Sequence, residues 1–276
     1  MVFQTIIIDE SSRVGNARTL TWKAIKKICE GSKHRYLNSA TPVMNSPLEL
    51  FGQFDLIQNG CMGSYWNFLN TYAVRNQWNG IESFKNLEEL RAIIAPYMIR
   101  RTKAEVLPEL PPITYVDVPI VFSDEERELY KKIKQELLFE IDAALLSKVE
   151  HPALLQNTLV KMLRLIQLTG SMELLGEGIK SSKLNALKEL LPNILSDKKA
   201  LIFTRFSTMA EILRRELASY APLVITGAIK NRAEVVRLFT HDPRHRVLIG
   251  TSAMNYGLNL PVAETVIHYD QEYSLG

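Results

Sequence analysis

Runs of branched apolar residues that stop abruptly on polar residues recur along this chain. The first extends from Phe3 to Ile8 and stops at Asp9 and Glu10, and it predicts a strand buried on both faces. The stretch RYLNSATP at 35–42 predicts a second strand that runs into a polar turn. Between them, apolar residues from Thr19 to Cys29 recur near the helical period. The order strand, helix, strand is typical of a parallel sheet.

The remaining pattern predicts helices first and a regular alternation afterwards. Prolines at 108, 111 and 112 indicate a linker, and the apolar stretch Ile113–Ser123 after them predicts a strand. The other predicted helices lie at 48–57, 65–72, 87–94, 124–148 and 155–168. From residue 182, helices at 183–195, 208–220 and 231–240 alternate with strands at 200–204, 223–226, 246–250 and 265–269. This alternation predicts an α/β fold with a parallel sheet.

Composition narrows the class of protein only slightly. The 276 residues suggest about two domains. The 33 basic and 30 acidic residues give a net charge of +3, which permits a nucleic-acid partner without requiring one. Cys29 and Cys61 are isolated, so neither a zinc site nor a disulfide framework is indicated. Because no apolar run approaches the roughly 18 residues of a membrane span, we expect no membrane association and a cytoplasmic protein.

Two adjacent carboxylates are the first candidate for chemistry. Asp9 and Glu10 lie at the carboxyl end of the first predicted strand, the edge where open α/β sheets bind ligands. Such a pair could hold a metal ion and activate a water molecule. Acidic residues are also common at strand ends and helix starts, so the pair by itself leaves both interpretations open.

Five segments, taken in order, carry a family resemblance. They are IIIDESSR, LNSATPVMNSPLEL, APYMIRRTKAEVLPELPP, KALIFTRFSTMAEILRREL and VLIGTSAMNYGLNLPVAETVIHYD. In this order the chain resembles the helicase superfamily that contains the DEAD/DEAH-box enzymes and, more narrowly, the Swi/Snf-related ATP-dependent DNA translocases. The resemblance runs the length of the chain and is weakest between Tyr65 and Asn86.

The resemblance implies a P-loop NTPase-type helicase core with two RecA-like lobes. Residues 1–111 would form the C-terminal part of the first lobe with a helical insertion. Residues 112–276 would form the second lobe, with a helical insertion at about 124–180. The implied function is the coupling of ATP hydrolysis to movement on double-stranded DNA without sequence preference, with ATP and Mg²⁺ as cofactors. A bacterial protein of this kind would be associated with the nucleoid, and a eukaryotic one would be nuclear.

In the first lobe, the resemblance gives roles to the residues of two motifs. Asp9 would position Mg²⁺ through its water shell, and Glu10 would orient and deprotonate the attacking water. Ser39, Ala40 and Thr41 match the motif that couples the nucleotide site to the DNA site. The same tripeptide could instead be only a helix cap before a proline. The family usually continues after the acids with Ala-His, whereas this chain has two serines, which leaves open how the acidic loop communicates with that tripeptide.

In the second lobe, the resemblance assigns two groups of residues. Hydroxyls and backbone amides at strand ends can donate hydrogen bonds to phosphate oxygens. Such contacts do not depend on base sequence. The implied nucleic-acid contacts are Thr204, Arg205, Thr226, Gly227, Thr251 and Ser252. Gly257 and Asn259 match the motif that reaches the nucleotide ribose, although a loop glycine with a capping Asn is the alternative.

Two parts that the family needs are absent from the printed sequence. It contains no GxxxxGK[ST] phosphate loop, and it stops before the arginines of the second lobe that the family uses at the γ-phosphate. We therefore expect an internal portion of a larger translocase that hydrolyses no ATP by itself. A non-catalytic nucleic-acid or protein-binding module is the alternative. A metal-dependent hydrolase built on Asp9 and Glu10 is disfavoured, because no third ligand cluster accompanies them.

Overall fold

The chain divides into two compact units, one ending at Thr114 and the other beginning at Tyr115. The computed structural model describes residues 3–147, 152–176, 178, 181–196, 198–254 and 258–270, and it describes no side chains from 140 to 158. No helix in the described part of the chain is both long and apolar enough to span a membrane.

The first unit begins with the predicted strand, helix, strand arrangement. Strand β1 (Thr5–Ile8) pairs in parallel with β2 (His34–Leu37), so that Ile8 lies opposite Leu37. Helix α1 (Leu20–Cys29) connects them, and the Thr19 side chain caps its start by accepting a hydrogen bond from the Trp22 amide. The β-branched residues therefore form strand β1, and the apolar residues at helical spacing form helix α1, as the pattern predicts.

Only one face of this two-stranded sheet is buried. Ile6, Ile8 and Leu37 pack with Trp22 of α1 and with Leu56 of α2 (Glu49–Ile57). Ile7 points away from that core and is 66% exposed. The prediction of a strand buried on both faces is therefore wrong, because the described helices of this unit cover one face only.

Helices α3 (Tyr65–Tyr72) and α4 (Leu87–Ile94) form a second core with α2, and both agree with their predicted bounds. A hairpin between them, β3 (Ala73–Arg75) and antiparallel β4 (Ile81–Phe84), was not predicted. Its turn contains Asn79 at φ 63°, followed by a glycine, which is a common hairpin signal. The short helix α5 (Lys103–Val106) then ends just before the prolines of the predicted linker.

The predicted strand at Ile113–Ser123 is absent, and the segment has no regular secondary structure. Its apolar residues are largely exposed, Tyr115 at 87% and Val116 at 75%. A strand needs a neighbour to satisfy its backbone groups, and no strand among the described residues pairs with this segment. This part of the sequence prediction is therefore wrong.

The second unit is a four-stranded parallel sheet in the order β6–β7–β5–β8. Its strands are β5 (Lys199–Phe203), β6 (Leu223–Ile225), β7 (Val247–Gly250) and β8 (Ala263–His268). Its helices are α6 (Asp124–Ser147), α7 (Pro152–Gly170), α8 (Ser182–Ile194), α9 (Ser207–Glu216) and α10 (Arg232–His241). The predicted alternation is thus present from α8 to β8.

Helices cover both faces of this sheet, and alternate strand residues point to each. Ala200 and Ile202 face α8 and α9, where Leu213 is fully buried. Leu201 and Leu248 face the opposite side, where Phe239 of α10 packs against them. This three-layer arrangement leaves the strand ends free to carry loops.

Candidate functional site

The acidic pair follows β1 directly, as predicted, and its backbone is strained. Asp9 is exposed, and its Oδ1 accepts a hydrogen bond from the Glu10 amide at 3.0 Å. Glu10 is half-buried and adopts φ 50° and ψ 49°, the left-handed region that glutamate rarely occupies. Such strain persists where the surrounding structure enforces it, and it is frequent at functional sites.

The loop after β2 lies beside this acidic loop. The Asn38 amide donates to the Ile8 carbonyl at 2.8 Å, and the Ser11 amide donates to the Asn38 carbonyl at 2.9 Å. These bonds continue the pairing of β1 and β2 beyond the strands. Ser39, Ala40 and Thr41 begin one residue later, and the Ser39 hydroxyl accepts from the Thr41 amide at 3.2 Å. The two predicted motifs of the first unit are therefore neighbours.

A buried side-chain relay also connects these two loops. The Ser11 hydroxyl donates to Gln53 Oε1 at 3.1 Å, and Gln53 Nε2 donates to the Pro42 carbonyl at 2.5 Å. Ser11 and Gln53 are 1% and 3% exposed. The serine that stands where the family usually has alanine thus has a specific partner. Gln53 was not predicted from the sequence, because its role depends on two loops that only folding brings together.

The backbone of α2 presses directly on the turn that follows the acids. A Cβ added to Gly52 would lie 2.2 Å from the Gly15 carbonyl oxygen, so only glycine fits there. The indole Nε1 of Trp22 donates to the Gly52 carbonyl at 2.8 Å and holds the contact from the other side. The acidic loop is therefore built against α2 without intervening side chains.

Gln53→Leu is expected to lower the free energy of unfolding of the first unit by about 1–3 kcal/mol. The substitution leaves the buried Ser11 hydroxyl and the Pro42 carbonyl without their partner. Urea denaturation followed by tryptophan fluorescence measures the change, since all three tryptophans, Trp22, Trp66 and Trp78, lie in this unit.

Gln58→Leu is the matched control, because Gln58 ends α2 in an exposed position. It should leave stability within about 0.5 kcal/mol. Adding Ser11→Ala to Gln53→Leu should restore part of the loss, since it removes the orphaned hydroxyl. Equal effects of the two glutamine substitutions would contradict the relay.

The donor set at the end of β1 fits a hard divalent cation held through water. Asp9 offers an exposed carboxylate with one oxygen already oriented by a backbone amide. No group of three or more His, Cys, Asp or Glu residues that could enclose a metal occurs within the described ranges. The arrangement therefore suits Mg²⁺ that keeps most of its water shell rather than a metal caged by protein.

Three loops of the second unit meet at the carboxyl edge of its sheet. They follow β5, β6 and β7, which are neighbours in the sheet. The Thr204 amide donates to the Gly250 carbonyl at 2.9 Å, and the Thr251 amide donates to the Ile225 carbonyl at 3.2 Å. The structure thus brings the predicted nucleic-acid contacts of these loops to one edge.

Burial separates these contacts into two groups. The three threonines are buried, with Thr204 at 4% and Thr226 and Thr251 at 7% exposure. Arg205, Gly227 and Ser252 are exposed. The exposed group is accessible to a ligand, whereas the threonine side chains lie within the fold.

Asp270, two residues beyond the end of β8, was not among the predicted site residues. Its Oδ2 accepts hydrogen bonds from the Thr204 hydroxyl and, at 3.0 Å, from the Arg205 amide. The sequence signal that could have found it is the same as for Asp9, an acid immediately after a strand. Of the predicted ribose contacts, Asn259 is exposed and Gly257 lies outside the described residues.

Two family models match the chain one after the other. The model of the SNF2-related domain matches residues 1–173, and that of the helicase conserved C-terminal domain matches 182–276. The chain belongs to the SNF2-related family. The resemblance inferred from the ordered motifs is thereby confirmed, as is the α/β RecA-like fold class.

SNF2-related relatives share about a quarter of their residues with this chain. An uncharacterized ATP-dependent helicase of Mycoplasma genitalium is 27% identical over 274 residues, which are 97% of this chain and 25% of that protein. The TATA-binding protein-associated factor MOT1 of Saccharomyces cerevisiae is 27% identical over 330 residues, 97% of this chain and 18% of that protein. The chain therefore spans a quarter or less of the length of these curated relatives.

Among solved structures, the SWI2/SNF2 ATPase core of Sulfolobus solfataricus in complex with dsDNA is similar to this SNF2-related chain. The identity is 27% and the TM-score 0.52, over 97% of this chain and 57% of that one. The similarity therefore extends to the architecture of the chain as well as to its motifs.

Proposed function

We propose that this SNF2-related chain is the part of an ATP-dependent DNA translocase that carries the water-activating acids and a DNA-contacting edge. The observation that carries the proposal is the acidic pair at the carboxyl end of β1, held next to Ser39 in a chain that two helicase family models match. ATP use is the common property of the family, and relatives are named ATP-dependent helicases.

Glu10 is the general base of the proposed reaction. It is half-buried and follows the strand directly, so its carboxylate would lie at the strand end, where it would orient a water molecule and accept a proton from it. Mg²⁺ bound with ATP would supply charge neutralisation at the phosphates. Asp9 would hold that ion through water, which its exposed carboxylate permits.

The DNA-contacting edge is the second part of the proposal. Exposed Arg205, Gly227 and Ser252 offer a guanidinium, a bare backbone and a hydroxyl on neighbouring strand ends. These groups suit phosphates, and contacts with phosphates carry no information about base sequence. The similar Sulfolobus core was solved with dsDNA, which supports duplex DNA as the partner here. The protein would then act where DNA is kept, in the bacterial cytoplasm or a eukaryotic nucleus.

We expect the 276-residue chain to bind duplex DNA weakly and without sequence preference. Released counterions make the affinity fall with salt, with a log-log slope of about one per phosphate neutralised. Arg205→Ala should reduce that slope by about one. Fluorescence anisotropy titrations of a labelled duplex at several salt concentrations measure both quantities.

Arg214→Ala is the control for this experiment, because Arg214 lies in the last turn of α9 and pairs with Glu211 on an exposed surface. It should leave the slope unchanged. A salt-independent affinity, or tight binding to one sequence and not to its scrambled version, would contradict the proposal. DNA binding without turnover, in a polypeptide that includes a phosphate loop, would favour a non-catalytic module.

A further inference from the structure

Asp270 carries a buried carboxylate that joins four elements of the second unit. Its side chain is 2% exposed. It lies at the end of β8 and receives hydrogen bonds from Thr204 and Arg205 at the end of β5. Lys183 at the start of α8 and Gly170 at the end of α7 face its other oxygen. An acid in this position needs a reason, since burying a carboxylate is costly.

The two carboxylate oxygens have different surroundings. Oδ2 accepts both hydrogen bonds from the loop after β5. Oδ1 is buried, accepts no hydrogen bond from any described residue, and lies 3.9 Å from the Lys183 ammonium. Half of the carboxylate therefore binds the loop, and the other half faces its counter-charge.

The surroundings of Lys183 show that it belongs to the same buried cluster. Its ammonium lies 4.8 Å from the centre of the Tyr269 ring, and the Tyr269 hydroxyl donates to the Gly170 carbonyl at 2.7 Å. Burial lowers the pKa of Lys183, and the Asp270 carboxylate opposes part of that change. The lysine is thus a partly desolvated partner that offsets the charge of Asp270.

We infer that Asp270 is a positioning residue that fixes the backbone at Arg205 for contact with a DNA phosphate. The inference rests on the proposed function, because the position of Arg205 matters only if this edge binds DNA. The inference also assigns a role to Thr204, whose buried hydroxyl donates a hydrogen bond to Asp270. Thr204 then holds the loop from within, and exposed Arg205 meets the ligand.

The test compares Asp270→Ala with Asp270→Asn in the 276-residue chain. Alanine removes the acceptor of the Arg205 amide and should weaken duplex binding about tenfold, as much as Arg205→Ala does. Asparagine keeps an acceptor oxygen and should restore a large part of the affinity. Because asparagine also preserves shape, it keeps the inference testable if the alanine variant does not fold.

A double-mutant cycle separates positioning from simple loss of stability. If Asp270 acts through Arg205, adding Asp270→Ala to Arg205→Ala should cause no further loss of affinity. Asp242→Ala is the matched control, because Asp242 likewise accepts the amide of an arginine, Arg244, but lies after α10, before β7 begins. It should leave affinity unchanged. Additive losses in the cycle would overturn the inference.

A measurement without DNA distinguishes failure of the inference from failure of the proposed function. The Arg205 amide is hydrogen-bonded to Asp270, so its hydrogen exchange should speed up in Asp270→Ala and stay slow in Asp270→Asn. If the unsubstituted 276-residue chain binds no DNA, the proposed function fails. The hydrogen exchange of the Arg205 amide then still tests whether Asp270 holds the loop after β5. Unchanged exchange in Asp270→Ala, or faster exchange with unchanged affinity, would overturn the positioning role.

Discussion

Glu10→Gln is expected to stop ATP turnover in any polypeptide that joins this chain to the phosphate loop and the second-lobe arginines of its family. Glutamine keeps the size of the side chain and cannot accept a proton from water. General-base catalysis contributes about 10²–10⁴-fold to the rate, so the turnover rate should fall by about 10²-fold or more. Nucleotide binding should remain, because Glu10 acts on the water. Phosphate release with saturating DNA measures turnover, and a fluorescent nucleotide measures binding.

The control for this substitution is Glu30→Gln, at the exposed C-cap of α1. It should leave turnover unchanged. Asp9→Asn should instead raise the Mg²⁺ concentration needed for activity, since it removes a charge from the side chain that would hold the ion. Unchanged turnover in Glu10→Gln would show that Glu10 is not the base.

Leu213→Ala is expected to lower the free energy of unfolding of the second unit by about 2–5 kcal/mol. Leu213 lies in α9, is fully buried, and packs with Ala200 and Ile202 of the sheet. Removing its branched end leaves a cavity between helix and sheet. Urea denaturation followed by far-ultraviolet circular dichroism measures the loss.

Leu159→Ala makes the same chemical change in the same unit at a side chain that is 60% exposed. It should alter stability by no more than about 0.5 kcal/mol. If both leucine substitutions moved the urea midpoint equally, the assigned core between α9 and the sheet would be wrong.

The second unit was predictable from α8 to β8, because each element there has a local signal. Strands such as Val247–Gly250 are short, β-branched and buried on both faces, and the helices between them carry apolar residues at helical spacing. The strand ends then follow from the pattern. That residues at these ends, such as Arg205, contact nucleic acid was implied by the family resemblance and stays a prediction.

Features that depend on a partner distant in sequence were not predictable. Ile113–Ser123 has the composition of a strand, yet strand formation requires a neighbour that the segment itself does not encode. Gln53 is a polar residue whose buried partner Ser11 lies 42 positions away. Asp270 follows a predicted strand, but its partners at 65 and 66 positions away have no signal in the sequence. The hairpin at β3 and β4 did carry its signal in Asn79 and the next glycine, and a search for turn dipeptides would have found it.

The contact between Gly15 and Gly52 has a mechanical consequence. Close-packed backbone atoms have no side-chain torsions through which a displacement could be absorbed. A shift of the turn at Gly15 toward α2 would therefore act directly on the backbone of α2, the helix that shares an aromatic cluster with α3 and α4.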